Sequence, residues 1–316
     1  MIEVEGLTKY YGAVRGIENV SFKIAKGEIV GFLGPNGSGK STTMRILTCV
    51  FPPTRGKAVV AGLDVFKKPL EVKRKIGYLP ESVPLYPDMR VDGYLNFVAE
   101  AKGVEKGTRK RHIANVMEEC GIRDVAHRLV GNLSKGFRQR VGIAQALIHD
   151  PEVLILDEPT IGLDPKQTIE MRELIKRLKG ERTIILSSHI LPEVSITCER
   201  VIIIHEGRII AVDKPENLVT RLQKASRTYF KIQGPSPLVM EKLKAIPGIL
   251  EVERQEAFPE NTYGYMVDAQ KDAYIGSHLF PLVLENNWKL WEMKAVGMSL
   301  EDIFMRLVNE EDREAR

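Results

Sequence analysis

Residues 34–42 read GPNGSGKST, the pattern G-x-x-x-x-G-K-[ST], placed after an apolar run and before a helical one. In that setting each residue type has a task. Glycines at 34, 37 and 39 let the backbone wrap closely, with Asn36 and Ser38 completing the loop. Inward-pointing N–H groups of such a loop bind phosphate oxygens. The following helix adds the positive end of its dipole. Lys40 is spaced to reach two successive phosphates. Ser41 offers a hydroxyl to a Mg²⁺ ion, and Thr42 bonds a neighbouring phosphate.

Further along, VLILDEPT ends an apolar strand in two adjacent carboxylates, Asp157 and Glu158. A strand of this kind delivers Asp157 to the C-terminal edge of a sheet, beside a phosphate loop. There it suits a water-mediated contact to Mg²⁺. Glu158 is one residue on, so a local change of backbone is needed before it faces the terminal phosphate as general base towards water. The run LSSH places His189 just past another strand, in reach of the same phosphate; a structural histidine is the alternative. Ser134-Lys135-Gly136 opens one more helix and looks like a second phosphate grip.

These groups need a layered α/β domain to hold them. VSFKIAKGEIVGFLG predicts a strand, a turn and a buried strand, with a helix from Gly39 to about Val50. EVLILDEPT and RTIILSSH are short β-branched runs of the kind found in buried parallel strands. MIEVEGLTKYYG alternates and is expected to be an edge strand. Residues 91 to about 120 turn helical, with polar turns at 103–108. RVIIIHEGRIIAVDKP predicts a hairpin turning at Glu206-Gly207. Beyond a boundary near residues 214–226 the order becomes βαββαβ, that of a ferredoxin-like sandwich, with a last helix capped by Ser299.

Composition narrows the class. A chain of 316 residues with 43% hydrophobic content has room for two ordinary domains with real cores. A net charge of +4 is too mild to argue for a nucleic-acid or lipid surface. Cys49, Cys120 and Cys198 lack CxxC spacing and read as reduced thiols rather than zinc ligands. No apolar run approaches the ~20 residues of a membrane helix, and the start lacks an apolar signal core. A cytosolic protein is expected, held at any membrane by a partner.

The motifs in this order resemble the ATP-binding cassette family over residues 1–220. LSKGFRQR is similar to its signature, usually LSGGQ, and IGLD at 161–164 to its D-loop. KYYG at 9–12 resembles its adenine-stacking site and points to Tyr11. IGYLPE at 76–81 resembles the loop that contacts a transport partner. The resemblance implies a P-loop NTPase cassette with a helical subdomain at about 82–135, followed by an accessory α+β domain at 221–316. It implies ATP and Mg²⁺, the ion held by Ser41, Asp157 and Glu81. It also explains the second grip. Cassettes pair head to tail, so Ser134 and Gly136 hold the nucleotide of a second cassette subunit, with a homodimer expected. A separate polytopic transmembrane permease receives the motion near Glu81 to Pro87, leaving this chain peripheral on the inner face of the membrane, touching the membrane only through that permease.

Two departures stand out. Lys135, Phe137 and Arg138 replace signature glycines and glutamine; Lys135 either adds charge near ATP or is solvated. Glu81 stands where most members carry Gln, which predicts altered coupling or Mg²⁺ dependence. GYLPE followed by PLYPDM, and the tail MSLEDIFMRLV, resemble the exporter-type subgroup, including gliding-motility and drug-export cassettes. Tyr86 and Phe97 are candidates for the partner groove, with core packing the alternative for Phe97. The competing function is a soluble cassette ATPase acting on nucleic acid or ribosomes. The 117 residues between Lys40 and Asp157 (157 − 40) are too few for a repair-type coiled coil, and a single motif set argues against the two-copy translation type; no nucleic-acid partner is expected. Trp288 and Trp291 are expected along the last strand as core or interface.

Overall fold

The computed structural model describes residues 1–217, 225–270, 273 and 275–296; the expected helix capped by Ser299 lies outside them. By internal contacts the chain divides into Met1–Pro215 and Glu216–Arg316.

The first unit runs β1 (Ile2–Tyr11), β2 (Val14–Ile24), β3 (Ile29–Leu33), α1 (Lys40–Leu47), β4 (Arg55–Val60), β5 (Leu63–Asp64), α2 (Pro69–Lys75) and β6 (Ile76–Leu79). It continues with α3 (Val91–Ala101), α4 (Lys106–Glu119), α5 (Lys135–Leu147), β7 (Val153–Asp157), α6 (Pro165–Arg177), β8 (Thr183–Ser188), α7 (Leu191–Thr197), β9 (Arg200–His205) and β10 (Arg208–Asp213).

Two sheets form its frame. One is antiparallel, ordered β2-β1-β4-β5; the other is ordered β10-β9-β3-β8-β7-β6 and is parallel except for the β9–β10 hairpin. The runs IVGFL, VLILD and TIILSS are buried at every residue, as covered parallel strands require. One apolar core joins the sheets through α1: Ile2, Val4 and Leu7 share it with Phe32, Met44 and Leu47. Parallel strands end together at one edge, so the loops after β3, β7 and β8 meet there.

The expected edge position of β1 is wrong. It pairs with β2 on one side and β4 on the other. Its alternation reports one exposed face, which an interior strand of a one-sided sheet shares; the neighbour comes from residues 55–60, invisible in a local pattern. The seven-residue α2 was also not foreseen, because it buries only Val72 and so shows no periodicity.

The second unit holds β11 (Ala225–Gln233), α8 (Ser236–Lys244), β12 (Ile249–Phe258), β13 (Thr262–Gln270), α9 (Ile275–Glu285) and β14 (Lys289–Val296). Its sheet is antiparallel, ordered β12-β13-β11-β14, with the βαββαβ element order. Phe230, Leu243, Tyr265 and Leu279 are fully buried in its core. Trp288 packs into that core against Gly234, whereas Trp291, on edge strand β14, is exposed.

Candidate active site

The phosphate loop leaves β3 and turns through Gly37 (φ 80°) and Gly39 (φ 108°) into α1. Space as well as φ demands glycine here. A Cβ on Gly39 would stand 2.6 Å from Ile17 Cγ2 and 2.9 Å from the Gly16 carbonyl; one on Gly34 would stand 2.2 Å from the Ile204 carbonyl. The Lys40 ammonium donates to the carbonyls of Gly34 (2.8 Å) and Pro35 (3.2 Å) and lies 3.6 Å from Glu158 Oε1. Ser38 Oγ is buried in the loop without a protein partner.

The two carboxylates arrive from β7. Asp157 sits opposite Ser187 of β8, whose hydroxyl donates to Asp157 Oδ1; the Ser41 hydroxyl lies 3.5 Å from the same oxygen. Glu158 takes φ 51°, the left-handed region, which supplies the change of backbone that its place after a strand demands. Its N–H donates to the Ser187 carbonyl (3.2 Å) and hydroxyl (3.0 Å), so Ser187 fixes both acids. The Glu158 carboxylate turns back towards the loop. His189 Nδ1 lies 3.1 and 3.0 Å from its two oxygens. An ionised carboxylate only accepts, so Nδ1 carries the proton and, in the neutral ring, Nε2 is left as the acceptor.

A cleft of about 470 Å³ gathers Asn36, Gly37, Gly39, Lys40, Ser41, Thr42, Glu81, Glu158 and His189. Gly16 and Ile161 line it as well. Tyr11 is 41% exposed on β1, with its ring against Gly16 at the cleft's margin and edge-on to Phe51 at 6.1 Å.

Ser134 and Gly136 are elsewhere. Ser134 caps α5, accepting from the Phe137 N–H at 3.4 Å, and lines a separate cavity with Gly136, Arg140, Asp164 and Gln167. Lys135 is solvent-exposed, with its ammonium over Gly162 of the loop after Glu158. Tyr86 and Phe97 are both about half exposed and stack edge to face at 5.7 Å, which sets aside core packing for Phe97. The neighbouring cleft of about 670 Å³ is lined instead by Glu81, Val83, Leu85, Pro87, Lys135 and Arg138.

Sequence reading missed Ser187, although a serine inside a buried β-branched strand is a signal: an unpaired hydroxyl there costs energy, so it implies a partner. It also missed Gly16, which carries no distinctive chemistry, whereas Ile161 opens the IGLD run already singled out.

Residues 17–161 match the family model described as ABC transporter. Over nearly its whole length the chain is similar to the bacitracin transport ATP-binding protein BcrA of Bacillus licheniformis: 36% identical, covering 98% of this chain and 97% of that protein. The chain belongs to the ABC transporter ATP-binding family. The linearmycin resistance ATP-binding protein LnrL of Bacillus subtilis is 33% identical, covering 81% of this chain and 83% of its own. Among solved structures, the dimeric bacterial ABC transporter cassette MJ0796 superposes on 68% of this chain and 98% of its own, at 27% identity and a TM-score of 0.62. As an ABC cassette the chain is an ATPase subunit of a transporter.

The site's residues fit Mg²⁺ with ATP. Ser41 and Asp157 present two hard oxygens side by side, and Ser38 adds a buried hydroxyl in the loop. Among the described residues no group of three or more His, Cys, Asp or Glu could hold a metal alone. Mg²⁺ is commonly bound by one or two protein oxygens completed by substrate phosphates and water.

Proposed function

We propose that this ABC subunit powers a membrane exporter, closing as a homodimer around two ATP molecules and driving a separate polytopic permease. One observation carries the pairing: the phosphate loop with Glu158 lines one cleft, and Ser134 with Gly136 lines another. One chain therefore offers halves of two sites, and a head-to-tail copy completes both. Export is supported by the near full-length likeness to the bacitracin transport protein and the linearmycin resistance protein. Residues 1–220 act as the cassette, with 82–135 as its helical subdomain and 221–316 as an accessory domain. Among the described residues no helix is long and apolar enough to cross a membrane. The subunit sits on the inner face of the membrane through the permease, docked along Glu81 to Pro87.

Tyr11 stacks on adenine, and the loop from Gly34 to Thr42 grips the phosphates. Ser41 and Asp157, with Glu81 nearby, would hold Mg²⁺, which neutralises charge on the phosphate oxygens. Glu158 takes a proton from the attacking water as its oxygen bonds the terminal phosphorus and ADP departs. His189 holds that carboxylate in place. Lys40, 3.6 Å from Glu158, links the base to the phosphates.

The test is a mild-detergent pull-down from native membranes with Glu158→Gln, ATP and Mg²⁺. A polytopic membrane protein at near-equal stoichiometry is expected. Ribosomal or nucleic-acid companions without a membrane chain would sink the exporter reading.

A further inference from the structure

The nucleotide cleft lies at the C-terminal edge of the parallel sheet. A second cavity, of about 860 Å³, opens at the opposite edge. Lys73 and Arg74 reach it from the end of α2, immediately before β6. His149 reaches it from just ahead of β7, Lys102 and Glu105 from the turn between α3 and α4, and His112 from α4. At about 3.3 Å per residue, the four residues of β6 alone separate the two edges by roughly 13 Å. Nothing in the hydrolytic mechanism uses this cavity.

Its charge is unbalanced. Among the described residues, Lys73, Arg74 and Lys102 make no ion pair, although nearby Lys68, Lys75 and Arg109 pair with Glu71, Glu152 and Glu100. Glu105 is the one carboxylate among the described lining residues. The crowding registers on the groups themselves. Lys102, though accessible at the surface, is held below the ordinary lysine range by desolvation and then by the Lys73 charge. His149 is pushed down to about 4, first by burial and then by Lys102. Its Nε2 donates to the Ile76 carbonyl at 3.1 Å, and its buried Nδ1 has no partner.

We propose that this cavity binds a phosphate-bearing anion, held by Lys73, Arg74 and Lys102. Three cations against one carboxylate leave a charge that a dianionic phosphate matches and a single carboxylate does not. A phosphate also has oxygens enough for a guanidinium fork and two ammonium groups at once. The volume exceeds what inorganic phosphate fills, so the ligand carries a further group. Exposed Leu70 at the rim gives that group an apolar neighbour. A lipid headgroup that ends in a phosphomonoester and a soluble phosphorylated compound share this chemistry.

The experiment uses the full chain with ADP filling the nucleotide cleft. Inorganic pyrophosphate is titrated while the His149 resonance is followed across pH by NMR. In parallel, the protein is floated with phosphatidic acid or phosphatidylcholine vesicles. Bound anion offsets the Lys102 charge, so the His149 midpoint moves up. The double variant Lys73→Gln/Lys102→Gln weakens binding about tenfold or more, since each charge-assisted contact is worth about that factor. Its ADP affinity and melting temperature stay unchanged, which separates lost binding from lost folding. Pyrophosphate binding without flotation, lost in the variant, assigns a soluble source; flotation with phosphatidic acid but not phosphatidylcholine, lost in the variant, assigns lipid. Binding of neither probe, binding indifferent to the variant, or preference for a glutamate-rich peptide over both probes overturns the proposal.

Discussion

Glu158 holds a left-handed backbone, φ 51°, that few non-glycine residues adopt, and Ser187 holds it there with two hydrogen bonds to one N–H. Backbone strain at a single residue is kept only when its surroundings impose it. Here it lets consecutive acids serve one site, Asp157 towards Ser41 and Glu158 towards Lys40 and His189. Glu158→Gln keeps the shape and removes the base. ATP affinity is expected to persist while single-turnover phosphate release falls by about 10²–10⁴-fold. Ser187→Ala tests the scaffold behind the acids. Losing its hydroxyl leaves Asp157 short of a buried donor, at a cost of about 1–3 kcal/mol. Stability should fall in urea titration, and ATPase activity should need more Mg²⁺. An unchanged Mg²⁺ requirement would remove Ser187 from the ion's surroundings.

Elements act here by bringing their ends together. Helix α5 carries Ser134 at its start and packs its other end on β6, so its position depends on Gly77. A Cβ there would lie 2.3 Å from the Ala146 carbonyl, which is helix backbone and cannot swing aside. Gly77→Ala is therefore expected to cost about 1–3 kcal/mol, read as a lowered denaturant midpoint with unchanged slope. His149, at the junction of α5 and β7, tests the same region by pH. Its folded value, about 4, lies below the unfolded value of about 6.5. The folded state thus binds fewer protons in that window. The contribution is complete above pH 6.5 and is lost as pH falls towards 4. His149→Gln, which keeps a donor for Ile76, should flatten that part of the melting-temperature profile. A slope that survives the substitution assigns it to other groups.

For the whole molecule, the separation of the two phosphate grips is the consequential fact. Lys40→Ala disables one half-site and Ser134→Arg the other. Mixed in equal amounts, the two inactive chains form heterodimers with one intact composite site. Roughly a quarter of wild-type single-turnover product is expected if copies pair freely. No recovery would mean that each chain completes its own site. Trapping of Glu158→Gln as an ATP-dependent dimer in sedimentation velocity reads the same closure directly.

The phosphate loop, the adjacent acids and the histidine were legible in sequence because their chemistry is local: a few consecutive residues on a strand, a turn and a helix start. The βαββαβ order of the second unit was legible for the same reason, since each element shows its own period. What only the tertiary structure decided was who stands beside whom. Pairing placed β1 in the interior of its sheet, and register put Ser187 behind Asp157 from 30 residues away. The same packing brought Lys73, Arg74, Lys102 and His149 to one cavity at the far edge of the sheet. Contacts of this kind join residues far apart in the chain, and their energy belongs to the assembled core, so no short run of residues announces them.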